Sequence, residues 1–125
     1  ADNDARRVIY GMMLELEKKV YIYSVESIGY ARSIEKVGEQ SELAGKFREA
    51  AGRVYTLLTD ALEAEDNQEL ADLFRESRSL ASESRTYLEQ THSQDAGLQE
   101  KKRELTALID DILTRMDEIE QRLIY

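Results

Sequence analysis

Between Ile9 and Val37 apolar residues recur at alternating steps of four and three: Ile9, Met13, Leu16, Val20, Tyr23, Tyr30, Ile34 and Val37, with Ser27 as the one polar member. A strand sends successive side chains to opposite faces, so it cannot collect this set on one side. An α-helix collects it as a continuous stripe that lies against a neighbour over about four heptads. The same spacing returns at Leu98, Lys102, Leu105, Ile109, Ile112, Met116, Ile119 and Leu123. The chain has no Pro, the residue that most often interrupts such a run. Two long amphipathic helices therefore bracket it.

Two shorter helices fit between them. The spacing predicts helices over about 4–37, 41–65, 67–91 and 95–125. Asn3 or Asp4 suits the first N-cap, Ser41 the second, and Ser93 or Asp95 the fourth. Gly38 is placed to stop the first helix in a left-handed conformation. Asp66 and Glu69 have capping-box spacing at the start of the third. The second helix carries Leu43, Phe47, Ala50, Val54, Leu57, Ala61 and Ala64 on one side. The third carries a weaker stripe: Leu70, Leu73, Ser77, Leu80, Ser84, Tyr87 and Thr91. Such short connections make neighbouring helices antiparallel. The expected fold is all-α, an up-down-up-down antiparallel four-helix bundle, with residues 1–125 forming one domain.

Composition narrows the function classes. There are 17 Lys and Arg against 26 Asp and Glu, a formal charge of −9. That balance opposes a nucleic-acid backbone and an anionic lipid surface. The one basic run, Lys101-Lys102-Arg103, is too short to reverse it. Without Cys there is no thiolate metal site, disulfide or thiol nucleophile. No segment reaches the roughly 18 apolar residues of a membrane span, and no signal peptide is read. A longer protein with either would contain this chain as a part. No nucleophile–base pair, phosphate-cradling Gly loop or metal constellation is present, so neither an enzyme nor a cofactor is expected. His92, the sole His, reads as a loop residue, and the Met residues fall at the other end of the bundle from it. Asp110 and Asp111 diverge by about 100° on a helix and make no acid/base couple. The acidic stretch from Asp60 to Asp72 reads as a solvated turn.

Aligning helices through their turns brings Tyr30 level with Ala50, Ser84 and Leu105, and Tyr23 level with Leu57, Ser77 and Ile112. Large residues of the first helix then face small ones of the third. The plain reading is interdigitated packing. The functional reading is a small-ligand cavity lined by Ser27, Tyr30, Ser77, Ser84 and Tyr87. Arg32, Arg53 and Arg85 fall in the same half of the bundle, and guanidinium groups bind carboxylates bidentately; the plainer reading is surface ion pairs of Arg85 with Glu89 and of Arg53 with Glu49. The candidate ligand-binding set is therefore Ser27, Tyr30, Arg32, Arg53, Ser84 and Arg85.

The first helix has more apolar surface than one stripe requires. Leu14, Tyr21, Ile22, Val25 and Ile28 make its middle apolar nearly all round. A four-helix monomer leaves much of that surface in water. A homodimer through Leu14, Tyr21, Val25 and Ile28 is the expected arrangement.

Long outer helices, termini at one end and a dimer seam on the first helix resemble the extracytoplasmic four-helix sensor domains of bacterial chemoreceptors and sensor kinases. The resemblance is one of architecture over the whole chain. It implies a ligand-sensing, signal-transmitting module in which two helices continue into the membrane and ligand shifts one helix against the dimer partner. It also implies a periplasmic or other extracytoplasmic location. The other expectation is a soluble, cytoplasmic adaptor or chaperone that takes a partner helix on an apolar groove.

Overall fold

The computed structural model describes residues 3–36 and 39–123. Four helices follow in order: α1 Asn3–Glu35, α2 Ser41–Glu63, α3 Asn67–Gln90 and α4 Ala96–Leu123. There is no strand among the described residues. Each helix packs on the next, and α4 returns to α1, so α1 and α3 are diagonal, as are α2 and α4. This is the expected four-helix bundle. The α2–α3 pair packs most extensively and α3–α4 least.

The helix ends follow local chemistry. Asp66 is the N-cap of α3, and its carboxylate accepts the Glu69 N–H at 2.7 Å. Asp95 accepts the Leu98 N–H at 2.9 Å and starts α4, while Ser93 Oγ accepts from the Asp95 N–H. Ser41, expected as the cap of α2, is instead its first helical residue. The N-cap is Gln40, whose side chain makes no cap bond. That amide is engaged elsewhere: its Nε2 donates to the His92 carbonyl at 2.7 Å and its Oε1 accepts the His92 N–H at 2.9 Å. One buried side chain thus joins the α1–α2 and α3–α4 connections. Val37 and Gly38, the latter the expected stop of α1, lie outside the described residues.

The stripes of α1 and α4 are buried as the spacing predicts. Ile9, Met13, Leu16, Val20, Tyr23, Tyr30 and Ile34 meet Leu105, Ile109, Ile112, Met116 and Ile119 in one core. The α3 stripe differs from expectation. Its buried line is Leu70, Phe74, Ser77, Ala81, Ser84, Leu88 and Thr91, itself a four-three repeat. Leu73, Leu80 and Tyr87 are half-buried at its edge. The two lines share Leu70, Ser77, Ser84 and Thr91. They differ in which flank turns inward, and Phe74 and Leu88 take the interior.

Ile109 is fully buried at mid-stripe. Ile109→Ala is expected to cost about 2–5 kcal/mol, the range for a truncation that leaves a cavity. Asp111 is half-exposed at the α1–α4 boundary, where Lys19 and Arg115 each approach to 3.1 Å. Lys19 first, then Arg115, hold its carboxyl below the usual carboxylate range. Exposed pairs of this kind contribute about 0.2–1 kcal/mol, so Asp111→Ala should cost no more than about 1 kcal/mol. Urea melts of the two variants separate these expectations.

Candidate functional site

Two polar rungs cross the core from α1 to the diagonal helix α3. Tyr23 Oη and Ser84 Oγ are 2.8 Å apart, and Ser84 Oγ donates to the Ala81 carbonyl at 2.8 Å. A hydroxyl has one proton, so Tyr23 is the donor in the first bond. One heptad along, Tyr30 Oη lies 2.7 Å from Thr91 Oγ1, which donates to the Leu88 carbonyl at 2.6 Å. Tyr30 is again the donor. Near the opposite end Arg6 bonds Asn67 and donates to the Ala64 carbonyl. All three cross-links from α1 to α3 join residues 61 positions apart. The levels inferred from turn lengths, Tyr23 with Ser77 and Tyr30 with Ser84, are short by one heptad. The diagonal helices connect only through α2, so alignment errors from two turns accumulate.

Burial is the main cause that pushes the Tyr23 phenol far above its ordinary value, and the neighbouring Ser84 and Ser27 hydroxyls oppose it weakly. Tyr30 is raised for the same reason, with Thr91 opposing. Raised folded values mean that the native state keeps protons the unfolded state has lost. The stability this contributes is complete below the unfolded value of about 10 and declines as pH rises beyond it. Stability is therefore expected to fall above about pH 10 by up to roughly 1.4 kcal/mol per pH unit for each tyrosine. Tyr23→Phe should flatten that decline, measured as urea midpoints from pH 8 to pH 12.

The six residues read as a ligand set are not gathered in one pocket. Ser27 and Ser84 are fully buried among the rungs, and Ser27 Oγ has no hydrogen bond of good geometry. Tyr30 is buried with its hydroxyl on Thr91. Arg32 is exposed near the end of α1. Arg53 bonds Glu76 across the α2–α3 seam at 3.2 Å. Arg85 bonds Asp110 across the α3–α4 seam and Glu89 on its own helix. Ser77 donates to the Val54 carbonyl at 2.8 Å, and Tyr87 lies outside the core on Glu83. The large-opposite-small arrangement is thus filled by tyrosine side chains. Among the described residues, no three His, Cys, Asp or Glu side chains are grouped to hold a metal ion. No described helix is long and apolar enough to cross a membrane.

An exposed apolar surface lies on α1. Val8, Tyr10, Leu14, Tyr21, Ile22 and Val25 are the exposed large hydrophobic residues among those described, at 38–54% exposure. All six are on α1. Tyr21 leans toward α2 and meets Tyr55 edge-on, with ring centroids 5.4 Å apart. Ile28, expected in the same seam, is half-buried. Gly11 and Gly29 stand on this face about five turns apart, hence on one line at 3.6 residues per turn. A Cβ built on either meets nothing within 4 Å. Ile22 and Val25 lie close to that line. Glycine costs about 1 kcal/mol against Ala inside a helix, and the bundle itself gives no reason for it at these two positions. Val8, Tyr10 and the glycine line lie outside the expected seam; the five-turn spacing of Gly11 and Gly29 is the signal for them in the sequence. Comparison of the chain with protein-family models, curated proteins and solved structures finds no match.

Proposed function

We propose that this chain is a non-enzymatic ligand-sensing or signal-transmitting module that works as a homodimer through α1. The observation that carries the reading is the segregation of every exposed large hydrophobic residue described to one helix. A soluble monomer scatters such residues over its surface; their collection on one helix, with Lys18 among them, marks a surface with a partner. A second copy is the simplest partner, since one face serves both halves of a two-fold contact. The glycine line fits it, because a residue without a side chain lets a second backbone approach closely.

The sensing part rests on how such a seam connects to the rest of the bundle. The dimer face and the tyrosine rungs are on the same helix, so a displacement of α1 against its partner moves Tyr23 and Tyr30 relative to α3. The start of α1 and the end of α4 are adjacent, with Ala5, Val8 and Ile9 beside Glu118 and Gln121. A shift of α1 is therefore delivered beside the last turn of α4. The adaptor reading uses the same face for a helix of another protein. Sedimentation equilibrium separates the two. A concentration-dependent dimer is expected; a chain that stays monomeric at about 100 μM, a weak affinity for a specific pair, would leave the adaptor reading ahead.

A further inference from the structure

The apolar residues on the outward face of α1 are not centred on it. Lys18 stands exposed at the middle of that face. Counted from Lys18 at about 100° per residue, Tyr10, Leu14, Tyr21 and Val25 fall within about 80° on one side, and half-buried Ile28 falls with them. Val8 and Ile22 fall on the other. The populated side is the one that turns to α2, because Tyr21 meets Tyr55 of α2 there with ring centroids 5.4 Å apart. Lys19 and Glu26, which pair with Asp111 and Lys101 of α4, mark the opposite side. The apolar surface therefore runs over the α1–α2 seam more than along the crest of α1.

The second helix continues that surface. Arg48 pairs with Glu35 of α1 at 3.1 Å and so marks, with Tyr55, the edge of α2 that faces α1. Gly45 and Gly52 lie three positions before and four after Arg48, and Gly52 lies three before Tyr55. Those spacings make both glycines neighbours of that edge on the helix surface. The buried Phe47, Val54 and Ala61 are on the far side of α2, so the glycines are on its outward side. A Cβ built on either meets nothing within 4 Å. The third helix has no glycine, and Gly97 of α4 lies in its first turn. Among the described residues, mid-helix glycines are thus confined to the two helices that share this seam. An interior glycine weakens a helix, and nothing inside the bundle requires one at these places.

A standard interface takes about 800 Å² and 20–30 residues from each partner. The outward third of α1, a helix of 33 residues, offers about eleven. A contact along the crest of α1 alone also puts the Lys18 ammonium of both copies at its middle, where loss of water is costly. Moving the contact to the α2 side enlarges it with Tyr55, Gly45 and Gly52 and leaves Lys18 at the rim in solvent. We propose that the second copy docks over the α1–α2 seam, so that each protomer contributes two helices to the interface and the backbones come closest at Gly45 and Gly52. This rests on the homodimer proposed above and places its contact.

Gly52→Lys and Gly45→Lys each put a long charged side chain on the seam. Lys is a better helix former than Gly and meets open space there in the monomer, so urea melts at low concentration should show bundles at least as stable as wild type. Sedimentation equilibrium is expected to show the dimer weakened at least about tenfold in both. Ser79→Lys makes a like change on the exposed face of α3, the helix diagonal to α1, and should leave association unchanged. Wild-type association in both glycine variants overturns the placement; if Val25→Glu still breaks that dimer, the α1 contact stands without α2. Equal weakening by Ser79→Lys overturns it as well. A wild-type chain that stays monomeric at about 100 μM removes the dimer itself, and this placement with it.

Discussion

Phe47→Ala is expected to destabilise the bundle by about 3–5 kcal/mol, the largest single-residue effect in the core. Phe47 is fully buried on α2. Its ring meets Tyr23 and Tyr30 nearly edge-on, with centroids 6.2 and 6.1 Å away and planes at 84° and 88°. Edge-to-face pairs contribute about 0.5–1.5 kcal/mol beyond area burial. More important is position. Phe47 packs against both tyrosines that carry the rungs to α3. Its truncation leaves a cavity beside two phenols whose hydroxyls are fixed at the far side by Ser84 and Thr91. Neither ring can move in to fill the space without breaking its hydrogen bond. Incomplete collapse is the condition that places a truncation at the costly end of its range. Phe47→Leu keeps most of the volume and should cost clearly less. Urea melts at pH 7 decide between them, and equal costs would show that the rungs do not resist collapse.

The bundle was legible in the sequence because α1 and α4 each satisfy a strict four-three repeat that no other element can use. The Asp66 cap was legible from its capping-box offset to Glu69, whereas Ser93 and Asp95 were both open for α4, and Asp95 takes the cap while Ser93 bonds its N–H. Ser41 misled because a good capping residue stood beside Gln40, whose engagement with His92 is a contact across 52 positions. In α3 the small residues blurred the stripe. Ser77 and Ser84 are compatible with two different flanks, and only packing against Tyr23 and Val54 selects Phe74, Ala81 and Leu88. Arg32, Arg53 and Arg85 share one half of the bundle but not one angular position, and Arg85 makes the expected pair with Glu89. Arg75, Arg78 and Arg85 instead run along one seam and bond Glu120, Asp117 and Asp110 of α4. That ladder lies where adjacent helices pack least extensively. The surplus apolarity of α1 could be read from the order of residues along it, but its extent to Val8 and Tyr10 needed the helix to be seen in place.

Val25→Glu is expected to weaken the proposed α1 dimer at least about a hundredfold while leaving the bundle folded. Val25 is 47% exposed, so the monomer accepts a carboxylate there in water. In a two-fold contact the same residue appears twice, close to the axis. Burying two like charges costs several kcal/mol, and about 2.8 kcal/mol already corresponds to a hundredfold in affinity. The hydrophobic gain lost with Val25 adds to this. A complementary change has the opposite sign in the two states. Gly29→Ala meets nothing within 4 Å in the monomer, so it should stabilise the isolated bundle by about 0.5–1 kcal/mol. If a second backbone approaches at Gly29, the added methyl should weaken the dimer at the same time. Sedimentation equilibrium reads association and urea melts below the dimer concentration read the bundle. A Gly29→Ala chain that gains stability and loses affinity places the partner's backbone on the glycine line. Gains in both would move the contact away from Gly29, toward Leu14 and Tyr21, and an unchanged Val25→Glu dimer would remove α1 from the interface altogether.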